Sequence, residues 1–414
     1  MLLDFTLRLR RLTDRWRVAQ WATVALALVL CLSTTGVGLA AGVLLAVFAF
    51  RGDFQKLRWH WRAPLVLSIA AFLALFPLGV LWSDAPLPDM LDHFEHYLKL
   101  LFIPMITLVV ARGRWPERVL LAAFASLLVL LSLSLLHFYW PEASFWPDKP
   151  MFRGVPFGTY FLMNIGCAVA AHGLLLFAIR RMASCRRLAI GAIVLAALLV
   201  SHLLFITPSR TGVLVLLSLV GLLFWQTMGW KGALAGFVAV SLLAGAVYMG
   251  VPQIRDRFDV IDTEIQNSLD SGQVTSSGVR YELLRVGLSL ISQRPVFGHG
   301  TGSLWSRYEA ASRDSKISEA LITDDPHNQF VAVMIPFGIL GLVGLIALWA
   351  APLRIFWGTG FYACMGQAVV LQSVVSSFFN SSIQMFELGW FYVVLTGVLA
   401  AAVWRDGRHA LKSS

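Results

Sequence analysis

Apolar runs long enough to cross a bilayer recur along nearly the whole chain, and they decide the fold class before any motif is read. A helix needs about 20 predominantly apolar residues to cover the hydrocarbon core. Twelve runs approach or meet that length: 18–34, 35–50, 63–82, 95–111, 117–138, 156–179, 188–206, 211–226, 231–250, 328–350, 359–379 and 386–404. Only the Thr34-Thr35-Gly36 region separates the first two, which predicts a tight helical hairpin. A soluble surface needs about a quarter of the residues charged. Here 14% are charged and 58% are hydrophobic, so the expectation is an all-α integral membrane protein of about twelve transmembrane helices.

The formal charge of +10 suggests nucleic acid until the charges are placed. With the N-terminus inside, the alternating loops on that side hold 21 of the 33 Lys and Arg but only five acids: Asp4, Asp14, Asp53, Glu117 and Asp406. That is the positive-inside bias, and it puts both termini in the cytoplasm. Basic charge here sets topology, and no nucleic-acid partner is expected. The start (Arg8, Arg10, Arg11, Arg15, Arg17) runs into a full span without a small-residue cleavage site. It reads as an amphipathic segment on the cytoplasmic leaflet, with Leu2, Leu3, Phe5 and Leu9 dipping into it. Cys31, Cys167 and Cys364 fall inside spans and Cys185 in a cytoplasmic loop, so no disulfide framework is expected.

Three outer segments exceed a tight turn. Residues 83–95 are acidic, and 139–155 are rich in aromatic residues and proline, as in a headgroup-level belt. The third, 251–327, divides the chain into helices 1–9 (1–250), a long periplasmic loop, and helices 10–12 with a short cytoplasmic tail (328–414). A loop of that length is expected to contain folded parts. Within it, Val279, Leu283, Leu284, Val286, Leu288, Leu290 and Ile291 suit an amphipathic helix, capped by Ser276 or Ser277 and stopped before Pro295. Its polar side would present Arg280, with Arg285 less clearly placed.

Few residues in this chain can do chemistry. Arg210 lies in Thr207-Pro208-Ser209-Arg210-Thr211-Gly212, between spans seven and eight, where Ser209 or Thr207 can cap the new helix. A cation in a first helical turn is disfavoured by the dipole, whereas the free N–H groups attract an anion such as phosphate. The competing reading is a snorkelling interfacial arginine. Span ten is expected to start with Asp325 as N-cap and Pro326 at the first helical position, leaving His327 in the first turn. A neutral imidazole there can accept a proton. It could also simply complete a cap, or join Asp324 and Asp325 in a metal site.

The turn Arg294-Pro295-Val296-Phe297-Gly298-His299-Gly300-Thr301-Gly302 lacks the GK[ST] ending of a phosphate loop, so its glycines are expected to permit a tight bend near a ligand. Lys99 and Arg153 lie near the outer face and could add positive charge to a pocket or anchor the interface. No zinc-protease or nucleotide motif occurs, and Glu387 is the nearest thing to an isolated membrane-edge acid. A lipid-linked glycan transporter, the rival from another class, would show charges within spans and pseudo-symmetric halves; neither is evident.

Three elements occur in one order: Pro-Ser-Arg-Thr-Gly (208–212), Arg280-Tyr281 through Arg294-Pro295-Val296-Phe297-Gly298-His299-Gly300, and His327-Asn328-Gln329-Phe330 followed by Gly338-Ile339-Leu340-Gly341-Leu342. In this the chain resembles the O-antigen ligase superfamily, which includes O-antigen polymerases and bacterial protein O-oligosaccharyltransferases. The resemblance implies an inverting GT-C type glycosyltransferase of the bacterial inner membrane with its site facing the periplasm and no metal or nucleotide cofactor. The donor would be a glycan on undecaprenyl diphosphate. Arg210 and Arg280 would hold the diphosphate and His327 would activate the acceptor hydroxyl. Lys99, Arg153, Arg285, His299, Asp325 and Asn328 stand as secondary positions. The short tail after the last span and the large loop before span ten look more like the ligase, whose acceptor is lipid A–core oligosaccharide. Polymerase and protein O-oligosaccharyltransferase remain alternatives.

Overall fold

The computed structural model describes residues 2–51, 63–143, 153–157 and 160–413, with side chains for 16–50, 63–143, 153–157 and 160–407. The side chains of the basic N-terminal segment and most of the 139–155 belt lie outside the described residues. The first helices are α1 (Leu2–Val29), α2 (Thr34–Arg51), α3 (Pro64–Gly79), α4 (Leu87–Leu98), α5 (Phe102–Val110) and α6 (Trp115–Tyr139). There follow α7 (Tyr160–Arg181), α8 (Arg186–Ser201), α9 (Arg210–Met228) and α10 (Trp230–Gly250). Five shorter helices come next: α11 (Pro252–Asp259), α12 (Ile261–Ser271), α13 (Ser276–Gln293), α14 (Leu304–Ala311) and α15 (Ser318–Leu321). The chain ends in α16 (Gln329–Ile355), α17 (Phe361–Ser377) and α18 (Phe386–Ser413).

The protein is therefore an all-α membrane protein, and each of the twelve apolar runs is occupied by helix. Among the described residues nine helices are long and apolar enough to cross a membrane. The hairpin helices, apolar over Trp16–Val29 and Thr34–Phe50, are shorter, as is the 17-residue α17. At one end of the bundle Arg405 pairs with Glu117 at 2.7 Å, Tyr362 donates to Glu117 at 2.8 Å, and Arg180 donates to the Thr359 carbonyl. These contacts join segments that the charge pattern assigns to a single side. The long hydrophilic segment packs at the other end.

The acidic stretch 83–95 departs from expectation, because it forms most of α4 rather than a loop. A 3-10 turn at Lys99–Leu101 joins α4 to α5, making a single bent apolar rod from Leu87 to Val110. The reason is amphipathicity: Met90, His93 and Tyr97 recur at helical spacing and are buried, while Asp92 and Glu95 stay outside. Phe76, His93, Tyr97 and Phe337 then form an aromatic cluster between α3, α4 and α16, with Phe76 and Phe337 centroids 4.9 Å apart.

The hydrophilic segment rests on that junction. Leu283, Val286 and Leu290 of α13 pack with Leu304 and Tyr308 of α14 and with Val331 and Ile335 of α16. Thr275 caps α13, one residue before the expected serines, its hydroxyl accepting from Gly278 N at 3.1 Å.

The glycine-rich turn bends against α16. It fills a break in α16, where Gly338 has φ 57° and ψ −141°. His299 N donates to the Ile335 carbonyl at 2.8 Å and Gly300 N to that of Pro336 at 2.9 Å. In return Ile339 N donates to the Pro295 carbonyl at 2.8 Å. A Cβ at Gly298 would sit 2.4 Å from the Pro336 carbonyl carbon, and one at Gly338 would sit 2.4 Å from the Val296 oxygen. The glycines are thus required by backbone-to-backbone approach.

Candidate active site

The site is built where α9, α13 and the segment before α16 meet. A π-turn at His202–Ile206 ends α8, and α9 begins at Arg210 with Ser209 as N-cap, its hydroxyl accepting from Gly212 N at 3.3 Å. Gly212 lets α9 lie against α7, since a Cβ there would come within 2.9 Å of Asn164 Cβ. Arg210 Nη1 donates to Ser277 Oγ at 2.9 Å and to the Arg257 carbonyl at 3.2 Å, so it reaches from the bundle to the hydrophilic layer. Both acceptors are neutral.

One helical turn beyond Ser277, Arg280 is half-buried. That burial, followed by the charge of Arg210, holds its pKa below the usual guanidinium value, while Asp325, Tyr160 and Glu264 act the other way. An arginine nevertheless stays protonated. Among the described residues no hydrogen bond or ion pair engages the Arg280 side chain, and Arg210 forms no ion pair. Two cations therefore converge without an anionic partner in contact.

His327 faces the same space but not from a helix. Its φ is 51°, and among the described residues it is the single non-glycine with positive φ. Its backbone N–H donates to Asp325 Oδ1 at 2.9 Å. The helix starts later than expected: Asn328 is the N-cap of α16, its Oδ1 accepting from Phe330 N at 3.0 Å and Val331 N at 3.1 Å. Asp325 therefore orders the turn, and the first-turn placement of His327 is corrected. The neutrality argument changes with it. Burial, rather than a helix dipole, lowers the His327 pKa; Asp325 raises it and Arg280 lowers it. Nδ1 lies 3.6 Å from Asp325 Oδ2, too long for a hydrogen bond, and it has no other partner.

Gln329 and Gln384 hold this turn from beneath. Gln329 Oε1 accepts from Ile383 N at 2.7 Å and Gln384 N at 3.1 Å, and its Nε2 donates to Tyr97 Oη at 2.9 Å. Gln384 Nε2 donates to the Asp324 carbonyl at 2.9 Å.

The remaining expected residues divide. Asp325 and Asn328 shape the His327 turn. Lys99 is buried and donates to the Gln384 and Met385 carbonyls at 2.8 and 2.7 Å, clamping the segment after α17 instead of charging the pocket. Arg153 donates to the Phe138 carbonyl at 2.7 Å and lies over the Phe138 ring at the end of α6. Arg285 is committed to Glu282 by bonds of 2.8 and 2.9 Å. His299 Nε2 meets the Leu290 carbonyl at 2.9 Å inside the folded turn, and burial lowers its pKa. These four have structural tasks.

Two residues that the sequence did not single out adjoin the cations. The Tyr160 hydroxyl donates to the Pro208 carbonyl, and the charges of Arg210, Arg257 and Arg280 all act on that phenol. Tyr160 opens α7, more than forty positions before Arg210, and Arg257 lies between Asp256 and Phe258 without any marking pattern.

A metal reading of Asp324 with Asp325 and His327 does not match the grouping found. Asp324 instead lies with Asp92 and His96, whose ligand atoms fall within 4.8 Å of one another. His96 Nδ1 meets the Asp92 carbonyl at 2.7 Å, which leaves Nε2 as its free ligand atom.

Residues 195–346 match the family model described as O-antigen ligase, a stretch that contains Arg210, Arg280, the glycine-rich turn and His327. That stretch is similar to the O-antigen ligase family. Members of the O-antigen ligase family are glycosyltransferase-like membrane enzymes acting on lipid-linked glycans and lipid acceptors. No curated protein matches the chain. The match covers all of α9, all of α13 and the first two-thirds of α16, the elements that bring the two cations and the histidine together.

Proposed function

We propose that the protein transfers O-antigen polysaccharide from undecaprenyl diphosphate to lipid A–core oligosaccharide, on the periplasmic face of the bacterial inner membrane. The observation that carries this reading is the convergence of Arg210 and Arg280, both lacking an anion in contact among the described residues, beside a half-buried His327 whose pKa is held down. A diphosphate between the guanidiniums would relieve their mutual repulsion. As the anomeric C–O bond breaks, the charge growing on the leaving diphosphate would be met by donors already in place. His327 would take the proton of the acceptor hydroxyl while that oxygen forms the new glycosidic bond. Asp325, 3.6 Å away, would stabilise the imidazolium so formed. Attack opposite the leaving group inverts the anomeric centre. No step in this scheme needs a metal or a nucleotide.

The test is to incubate purified protein with lipid-linked glycan and separate acceptors in detergent. Extension of lipid A–core supports the ligase reading. Extension of a second lipid-linked glycan would make the protein a polymerase, and extension of a peptide hydroxyl a protein O-oligosaccharyltransferase. Glycan movement that needs a sealed vesicle, without any transfer, would indicate a transporter. Normal transfer by His327→Ala, Arg210→Ala and Arg280→Ala alike would refute the mechanism.

A further inference from the structure

A cavity of about 240 Å³ opens beside the His327 turn on the side of α4. It is bordered by Asp92, His93 and His96 of α4, by Trp305 of α14, and by Asp324 and Gln384. Apart from Gln384, which holds the Asp324 carbonyl, the catalytic reading uses none of these side chains.

His93 is the informative one. It is 6% exposed, stacked on Phe337 and tilted against Phe76. Its Nδ1 accepts from Gly302 N at 3.1 Å, which fixes the ring proton on Nε2. That Nε2–H is buried and has no acceptor. A buried donor left unpaired is unfavourable, and a slight shift of the cavity wall at His93 would open it to a ligand oxygen. The rest of the lining complements this donor. Asp89, Asp92 and Asp324 supply acceptors at the mouth, and Trp305, 48% exposed, offers a flat apolar face.

Each alternative ligand class meets an obstacle. A phosphate would face three carboxylates. A cation held by Asp92, His96 and Asp324 would leave the His93 donor unanswered, because Nδ1 is already occupied and Nε2 carries the proton. A lipid chain would gain little from so many polar groups. A sugar ring has hydroxyls for the carboxylates, an oxygen for His93 and C–H faces for the indole. The cavity lies below the range of about 300–1,000 Å³ usual for larger ligands, which suits a single ring.

We propose that this cavity seats a non-phosphorylated sugar of the acceptor glycan, aligning the acceptor towards His327 three residues beyond Asp324. The assignment of that sugar to the acceptor rests on the transferase reading above; the sugar site itself does not.

The experiment uses the full chain in detergent and two variants, Trp305→Ala and Asp92→Ala. With lipid A–core as acceptor, each variant should raise the acceptor KM at least about tenfold, the scale of one lost hydrogen bond or stacking contact, with kcat little changed. Retention of undecaprenyl-diphosphate glycan should equal that of the unsubstituted protein. An acceptor KM unmoved in both variants overturns the proposal. Saturation-transfer NMR with free, dephosphorylated core oligosaccharide reads the sugar site independently of any transfer. Contact that Trp305→Ala abolishes upholds it even if the transferase reading fails, and absence of contact overturns it. Equilibrium dialysis against zinc supplies the remaining arm: tight binding lost in His96→Ala would make this a cation site and refute the sugar assignment.

Discussion

Replacing Asp325 with Asn isolates a single electrostatic element of the proposed mechanism. Asn keeps an oxygen at the Oδ1 position, so the 2.9 Å bond from His327 N and the shape of the turn can survive. The charge facing Nδ1 at 3.6 Å is lost. Two unit charges at that separation interact by about 1 kcal/mol in water and about 5 kcal/mol at an effective dielectric of 20. The His327 and Asp325 side chains are 37% and 28% exposed, so solvent screens much of the upper figure. About 2 kcal/mol remains as the stabilisation of the developing imidazolium, which corresponds to about a 30-fold fall in kcat. The sign of the pH effect follows from the same geometry. His327 must be neutral to take a proton, and burial already holds its pKa below the ordinary histidine value. Asp325 opposes that depression, so D325N should move the acid limb of kcat to lower pH while reducing the plateau. Steady-state transfer with saturating donor and acceptor, followed across pH, reads both. A D325N enzyme within twofold of the unsubstituted rate with an unmoved acid limb would show that Asp325 does not act on the base.

The cation pair predicts a ligand effect on stability: undecaprenyl diphosphate should raise the melting temperature, by the equivalent of about 2.7 kcal/mol at a hundredfold excess over Kd. That gain should vanish in Arg210→Gln and Arg280→Gln. Arg280→Lys should retain charge but lose fork geometry, so transfer should fall by tenfold or more while some diphosphate protection persists. At position 327 the left-handed backbone costs a non-glycine residue about 1–2 kcal/mol. His327→Gly should therefore melt no lower than His327→Ala, and both should be inactive; a clearly less stable glycine variant would contradict the strain. Gly338→Ala combines positive φ with a contact 2.4 Å from the Val296 oxygen and should destabilise by several kcal/mol or abolish folded yield, read by fluorescence-detected size exclusion.

Local chemistry was readable from the sequence where local forces decide it. The helical runs, the Ser209 cap and the amphipathic face of α13 follow from spacing and side-chain type. The start of α16 did not, because Asp324-Asp325-Pro326-His327-Asn328 offers more than one acceptable cap. What decides it is remote: the Gln329 amide, at the first helical position, must accept from Ile383 and Gln384. Tyr160 and Arg257 were silent for the same reason, since their neighbours come from distant segments. The acidic letters of α4 hid a helix whose opposite face is aromatic. Lys99 and Arg285 looked available only because their acceptors, two carbonyls beyond α17 and the Glu282 carboxylate, could not be matched to them from spacing.

The stitched break in α16 bears on how such a chain can be rebuilt. Excising 251–327 would remove the partners of the Ile335 and Pro336 carbonyls and of Ile339 N, leaving three backbone groups of an apolar helix without hydrogen bonds. In hydrocarbon each such orphan is heavily penalised. The hydrophilic layer is therefore not an exchangeable cassette. A chimera that imports a foreign layer must import α16 with it, or the graft will fail in the membrane before its catalytic residues are tested.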